Sequence, residues 1–167
     1  DLGLLPKRYL QWFEQVIQFR KDVEHKKITR VSGKELEAYI RKARKYVERM
    51  QRLLEEMQRE KKRAMIIKNY EVMVKAAIAA LKSMNKLPPN PRDLPRAIKV
   101  YLIESGKVNP FYEEVLRRVA TMRKLVDEKK LDEIPERDVE LAREYVRRFV
   151  REIAKLVERE SKAEKSS

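Results

Sequence analysis

Apolar residues recur along this chain at steps of three and four rather than two, the periodicity of helices with one buried face. A first helix is predicted from about Pro6 to Lys26, with Tyr9, Trp12 or Phe13, Val16 and Val23 on one side. Ser32-Gly33-Lys34-Glu35 has the capping-box spacing and predicts the start of a second helix. From there Leu36, Tyr39, Ile40, Ala43, Val47, Met50, Leu54 and Met57 form one long apolar stripe. The charged stretch from Arg59 to Arg63 either ends that helix or is a solvated part of a longer one. A third helix, about 65–86, carries Tyr70, Met73, Ala77, Leu81 and Met84 and ends before the breaker Leu87-Pro88-Pro89-Asn90. A short fourth helix, about 92–105, stops at Gly106, a residue suited to a left-handed C-terminal cap. Asn109-Pro110 opens a fifth helix to about Lys129, with Phe111, Val115, Val119, Met122 and Val126 inward. Pro135 opens the last, to about Glu160, buried through Val139, Ala142, Val146, Phe149, Ile153 and Leu156. The expected fold is all-α, an up-and-down bundle of five to six helices. Residues 1–31 are expected to form an N-terminal helix, 32–160 the bundle and 161–167 a disordered tail.

The pattern repeats. At an offset of 103, Tyr9 matches Tyr112, Val16 matches Val119, Arg20-Lys21 matches Arg123-Lys124, and Lys26-Lys27 matches Lys129-Lys130. After a gap of one helical turn, Ala43-Arg44 matches Ala142-Arg143 and Tyr46-Val47 matches Tyr145-Val146. The match includes the loop between the two helices, which favours a real repeat over convergence of two Lys-rich amphipathic pairs. Residues 1–31 thus look like part of a duplicated helix pair.

Charge narrows the function. The chain has 41 Lys plus Arg against 27 Asp plus Glu, a formal net charge of +14. Such a surplus attracts polyanions and suits RNA, DNA or phosphate-bearing ligands. A thermophile's ion-paired surface is the alternative, though pairing alone does not require the imbalance. With no cysteine and one histidine there is no disulfide framework, no thiolate nucleophile and no zinc-finger or His-rich metal site. No apolar run reaches membrane-spanning length, and nothing near the start resembles a signal sequence, so a cytoplasmic protein without membrane contact is expected. No motif implies a cofactor or a metal.

The single histidine, His25, lies five residues after Arg20. Metal-free RNA cleavage needs a group titrating near neutrality beside the 2′-hydroxyl and leaving oxygen, with a cation on the phosphate. Imidazole and guanidinium suit those roles. Five residues turn an unbroken helix by about 500°, so the two share a face only if the helix ends near Asp22–His25. A solvated histidine at a helix end is the simpler reading. The second copy carries Glu128 where His25 stands, so it lacks the imidazole.

The segment Tyr70-Glu-Val-Met-Val-Lys-Ala-Ala-Ile-Ala-Ala-Leu81 resembles a helix of the HEPN family (higher eukaryotes and prokaryotes nucleotide-binding). The likeness continues through Leu87-Pro88-Pro89-Asn90-Pro91, Gly106 and Val119-Ala-Thr-Met-Arg-Lys124, and covers roughly Lys34 to Glu160. It is greatest for the form paired with minimal nucleotidyltransferases. The resemblance implies a helical bundle, a homodimer, and Arg123 with Lys124 at the family's ribonuclease position. The histidine that active members carry next would fall near Asp127–Lys130, where there is none. A nucleotidyltransferase's own Gly-Ser and Asp-x-Asp pattern is absent, so that enzyme is expected as a partner, upstream or on another chain.

Arg143, Arg147, Arg151 and Lys155 make a cationic ridge on the last helix, and Arg41, Arg44 and Arg49 a similar one on the second. Interspersed glutamates also permit simple intrahelical pairing. The expectation is a non-catalytic nucleotide- or RNA-binding accessory module. Arg123, Lys124, Arg143 and Arg147 would supply charge, with Tyr70 and Tyr112 as pocket walls. The alternatives are a toxin-like, metal-independent endoribonuclease using Arg20 and His25, and a basic scaffold that docks on RNA.

Overall fold

The computed structural model describes residues 5–165, and all their regular structure is helical. The chain runs α1 (Lys7–Glu24), α2 (Gly33–Ser83), α3 (Leu94–Ile98), a π-helical continuation (Lys99–Glu104), α4 (Phe111–Asp127) and α5 (Glu136–Lys165). Short 3₁₀ turns at Pro91–Asp93 and Leu131–Glu133 precede α3 and α5. The all-α expectation holds, and no strand occurs among the described residues.

The expected second and third helices are one helix of 51 residues. Neither glycine nor proline interrupts the chain between Gly33 and Ser83, and Arg63 pairs with Glu60 at 3.7 Å. The charged stretch is therefore a solvated part of a continuous helix. Its start has the expected capping box. Glu35 N–H donates to the Ser32 hydroxyl at 3.2 Å, while the Glu35 carboxylate accepts from Ser32 N–H at 3.1 Å. The Ser32 backbone bond first, then its hydroxyl, hold the Glu35 carboxyl below its ordinary value. A depressed carboxylate supports folding above its unfolded value, and that support is lost as pH falls through the folded one. Ser32→Ala is expected to lower stability by about 1 kcal/mol at neutral pH, measured by thermal unfolding.

Contacts divide the chain inside α2, into a unit up to Arg59 and a unit from Glu60. In the first unit α1 packs on the first half of α2. Phe13 stacks on Tyr46 at 4.9 Å, Phe19 stacks on Tyr39 at 4.2 Å, and Lys42 Nζ donates to Gln15 at 2.8 Å. No residue of α1 is buried.

The second unit holds a dry core. Met73, Ala77 and Leu81 of α2 meet Leu102, Val119, Val146 and the fully buried Phe149. A smaller cluster seats Ile66 among Val126, Leu131, Ile134 and Val139, where α4 turns into α5. Gly106 ends the π-helical segment at φ 71°, in the left-handed region glycine tolerates best. Two aromatic neighbours exchange their expected places. Tyr112 is buried on Phe149 with ring centroids 5.1 Å apart, whereas Phe111 is 48% exposed and lies edge-on to Tyr145 at 5.0 Å. The buried positions Tyr112, Val115, Val119 and Val126 fix the phase of α4, and Phe111 falls a helical step off it. Helix α5 continues past Glu160 to Lys165, so that part of the expected tail is helical. The last two residues, 166 and 167, lie outside the described residues.

The repeat is also a repeat of backbone conformation. Lys26 N–H bonds Val23 O and Lys27 N–H bonds Asp22 O, and Lys129 and Lys130 do the same to Val126 O and Leu125 O. Lys26 (φ 56°) and Lys129 (φ 62°) are both left-handed, completing two Schellman caps 103 residues apart. Helices α2 and α5 then start at Gly33 and Glu136, at the same offset. The spacing of 103 therefore persists into α5. The side-chain identities that align after a four-residue gap are displaced by one helical turn, while the structural register has no gap.

Candidate functional site: a guanidinium pair beside two clefts

On α4, Glu114 has Arg117 and Arg118 at i+3 and i+4, the two spacings that share a helix face. Its carboxylate accepts from Arg117 Nε at 2.8 Å and from Arg118 Nε at 2.7 Å. Arg118 first, then Arg117, lower the Glu114 carboxyl, and Glu114 raises Arg118 in return. One carboxylate holding two guanidiniums leaves a net positive surface, with the arginines mostly exposed. The held geometry is preorganised for an anion that competes with Glu114, because a planar guanidinium binds phosphate oxygens in pairs.

Two clefts border this pair. A cleft of about 480 Å³ lies between α4 and α5, with Phe111, Arg118, Thr121, Leu141 and Tyr145 in its wall. Arg148 sits over the Tyr145 ring at 5.9 Å. A second, of about 380 Å³, is lined by Tyr70 and Met73 of α2, Leu94 and Ile98 of α3, and Leu116 of α4. Lys99 and Glu113 form a 2.9 Å ion pair at its edge, which raises the lysine. Arg117 belongs to both clefts. No family model, curated protein or solved structure matches the chain.

The residues expected from sequence are not gathered in one place. Tyr70 lines the smaller cleft. Tyr112 lines neither of these two clefts. It is a core residue, and burial first, then the Glu152 carboxylate, raise its phenol. Arg123 is ion-paired with Asp127, and Lys124 lies 3.8 Å from Glu128, toward the far end of α4. Neither lines the two clefts described above. Arg143 and Arg147 pair along α5 with Glu140 at 3.7 Å and Glu144 at 3.1 Å.

The alternative pair lies in the first unit. Arg20 donates to Glu24 at 2.8 Å, and His25 is the exposed C-cap of α1. The repeat explains this setting. Glu24 matches Asp127, so each copy has an arginine bound to an acid one turn on, followed by the capping residue. His25 and Glu128 occupy the same backbone position, φ −82° and −78°, each bonded to the carbonyl four residues back. Both backbone positions end a helix. Sequence reasoning missed Arg117, Arg118 and Glu114, although the run Glu-x-x-Arg-Arg was a legible signal for one carboxylate gripping two arginines.

Proposed function

We propose that the second unit is a non-catalytic, HEPN-like module that binds a nucleotide or single-stranded RNA along α4 and α5, in partnership with a nucleotidyltransferase. One observation carries this reading. The Arg117–Arg118 pair stands beside an open cleft edged by the exposed ring of Phe111 and by Tyr145. Aromatic faces stack bases of any sequence, and guanidiniums hold the phosphates between them. The net charge of +14 supplies the long-range attraction. The HEPN resemblance of residues 70–124 supports the nucleotidyltransferase partner. The endoribonuclease alternative rests on Arg20 and His25; α1 ends at His25, as a shared face requires, but Arg20 is held by Glu24 and His25 does not line the cleft that Arg20 lines, which favours the non-catalytic reading.

The test is titration of a fluorescent single-stranded RNA and of a labelled nucleoside triphosphate, each followed by analysis of the recovered ligand. Anisotropy is expected to rise at low salt and the ligand to be recovered intact. For RNA, the logarithm of affinity should fall by about 0.7 per phosphate contact for each decade of salt. Absence of binding at low salt would refute the module. RNA cleavage lost in His25→Ala would replace it with the nuclease.

A further inference from the structure

We propose that the smaller cleft, between α2, α3 and α4, binds a medium-chain carboxylate, its tail on the cleft floor and its head at Lys99. This inference is independent of the RNA-binding reading. It rests on how the lining is layered. Met73, Ile103 and Val119 form a buried floor, and Tyr70, Leu94 and Leu116 form half-buried walls. The charged residues of the lining, Lys99, Glu113 and Arg117, are all exposed and stand at the rim. Polarity therefore changes once, from an apolar floor to a charged mouth. The larger cleft differs, because Glu133 and Asp138 line it as well as the two arginines. A volume of about 380 Å³ lies at the lower end of the range for small-molecule sites, which suits one short chain.

The helix on one side shapes this lining. Ile98 and Ile103 both line the cleft, although residues five apart on an α-helix point about 140° away from one another. The chain is π-helical from Lys99 to Glu104. A π turn closes on the residue five back, which brings the two isoleucines toward one face. Leu102, beside Ile103, meanwhile stays fully buried in the core. Such turns are frequent at functional sites. A plain α-helix over this sequence would carry one isoleucine away from the cleft.

The lining also selects the class of ligand. A sugar or nucleotide would press hydroxyls against the floor, where no side chain pairs them. An apolar chain incurs no such loss. The rim then calls for a single negative charge. Lys99 and Arg117, with Arg118 joined to Arg117 through Glu114, set three cations against the two carboxylates Glu113 and Glu114, a net of +1. A carboxylate that takes Lys99 from Glu113 leaves Glu113 four residues before Arg117, the favourable order for a pair along a helix. Every charge then keeps a partner. An amine taking Glu113 would instead leave Lys99 unpaired beside a second cation.

Isothermal titration of the full chain with saturated carboxylates from hexanoate to tetradecanoate tests this. Affinity should rise about fourfold for each added methylene and level off once the chain outgrows the cleft. Decanol and decylamine should each bind several-fold more weakly than decanoate. Lys99→Ala should weaken decanoate about fivefold and leave decanol unchanged. Lys99 is exposed, so helical circular dichroism should not change. Ala120 is an exposed residue of the lining, and Ala120→Trp should block every chain length, again with unchanged circular dichroism. Absence of saturable binding overturns the proposal. So does decylamine binding as tightly as decanoate. A rise that continues to tetradecanoate and ignores Ala120→Trp overturns it too, because that is detergent-like adsorption on a basic surface.

Discussion

Phe149→Ala is expected to destabilise the second unit by about 3–5 kcal/mol, the range for removing a large aromatic from a packed core. Phe149 has no exposed surface, and it takes the Tyr112 ring edge-on at 5.1 Å. Its loss removes transfer energy and leaves a hole that Met73, Leu102 and Val146 cannot close without moving the helices that carry them. A loss of that size is a large fraction of a typical domain's 5–15 kcal/mol. Urea unfolding followed by circular dichroism reads it as a midpoint lowered by roughly 1–2 M. The repeat supplies the control. Tyr46 holds the equivalent position in the first unit, where it is only half-buried against Phe13. Tyr46→Ala should therefore cost about 1–2 kcal/mol, mainly the stacked pair and partial burial. Equal losses at the two positions would show that the first unit's inner face is as well covered as the second's.

That contrast follows from one helix-pair design used twice. The chain ends α1 and α4 with the same left-handed lysine and the same pair of carbonyl bonds, and starts α2 and α5 the same number of residues later. Apolar positions along the pair are then set by spacing. Leu36, Tyr39, Ala43, Tyr46, Met50 and Leu53 stand where Val139, Ala142, Val146, Phe149, Ile153 and Leu156 stand. Only the second set has a helix laid across it within its own unit. The large aromatics at Tyr39 and Tyr46 and on α1 fit a thinner layer, in which two helices must cover one another by stacking.

Helix ends were legible in the sequence because their chemistry is local. Ser32 with Glu35, Asn90 accepting from Arg92 N–H, and Gly106 each satisfy or release a backbone group within a few residues. The union of two expected helices into α2 was left open, since nothing between Arg59 and Arg63 either breaks a helix or requires one to continue. The exchange of Phe111 and Tyr112 was not legible for a different reason. Adjacent aromatics differ by about 100° of helical phase, and only Pro110 and the helix start separate the two solutions. The site was the least legible of all. The Glu-x-x-Arg-Arg spacing announces the pairing of Arg117 and Arg118 with Glu114, but not the cleft between α4 and α5 that distinguishes them from the other cations.

Arg117→Ala with Arg118→Ala is expected to lower affinity for single-stranded RNA roughly 30-fold at low salt, about 1 kcal/mol for each charge-assisted contact. The salt slope should become shallower by about 1.4, the share of two phosphates at 0.7 each. Both side chains are largely exposed and their ion pairs are with Glu114 of their own helix, so the effect on folding should be small. Glu114→Gln gives the opposite sign. It removes the carboxylate that occupies both guanidiniums, and affinity should rise several-fold with a steeper salt slope. Acid should act in the same direction as that variant. Because Glu114 is held below its ordinary value, its grip persists through the normal carboxylate range and is lost only as pH falls through the lowered value. Arg123→Ala with Lys124→Ala tests the far end of α4, where the HEPN resemblance places the family's ribonuclease position. A small loss there, beside a large loss at Arg117 and Arg118, would locate binding on the cleft between α4 and α5. A reversed order would move the site to the turn where the repeat has replaced histidine by Glu128.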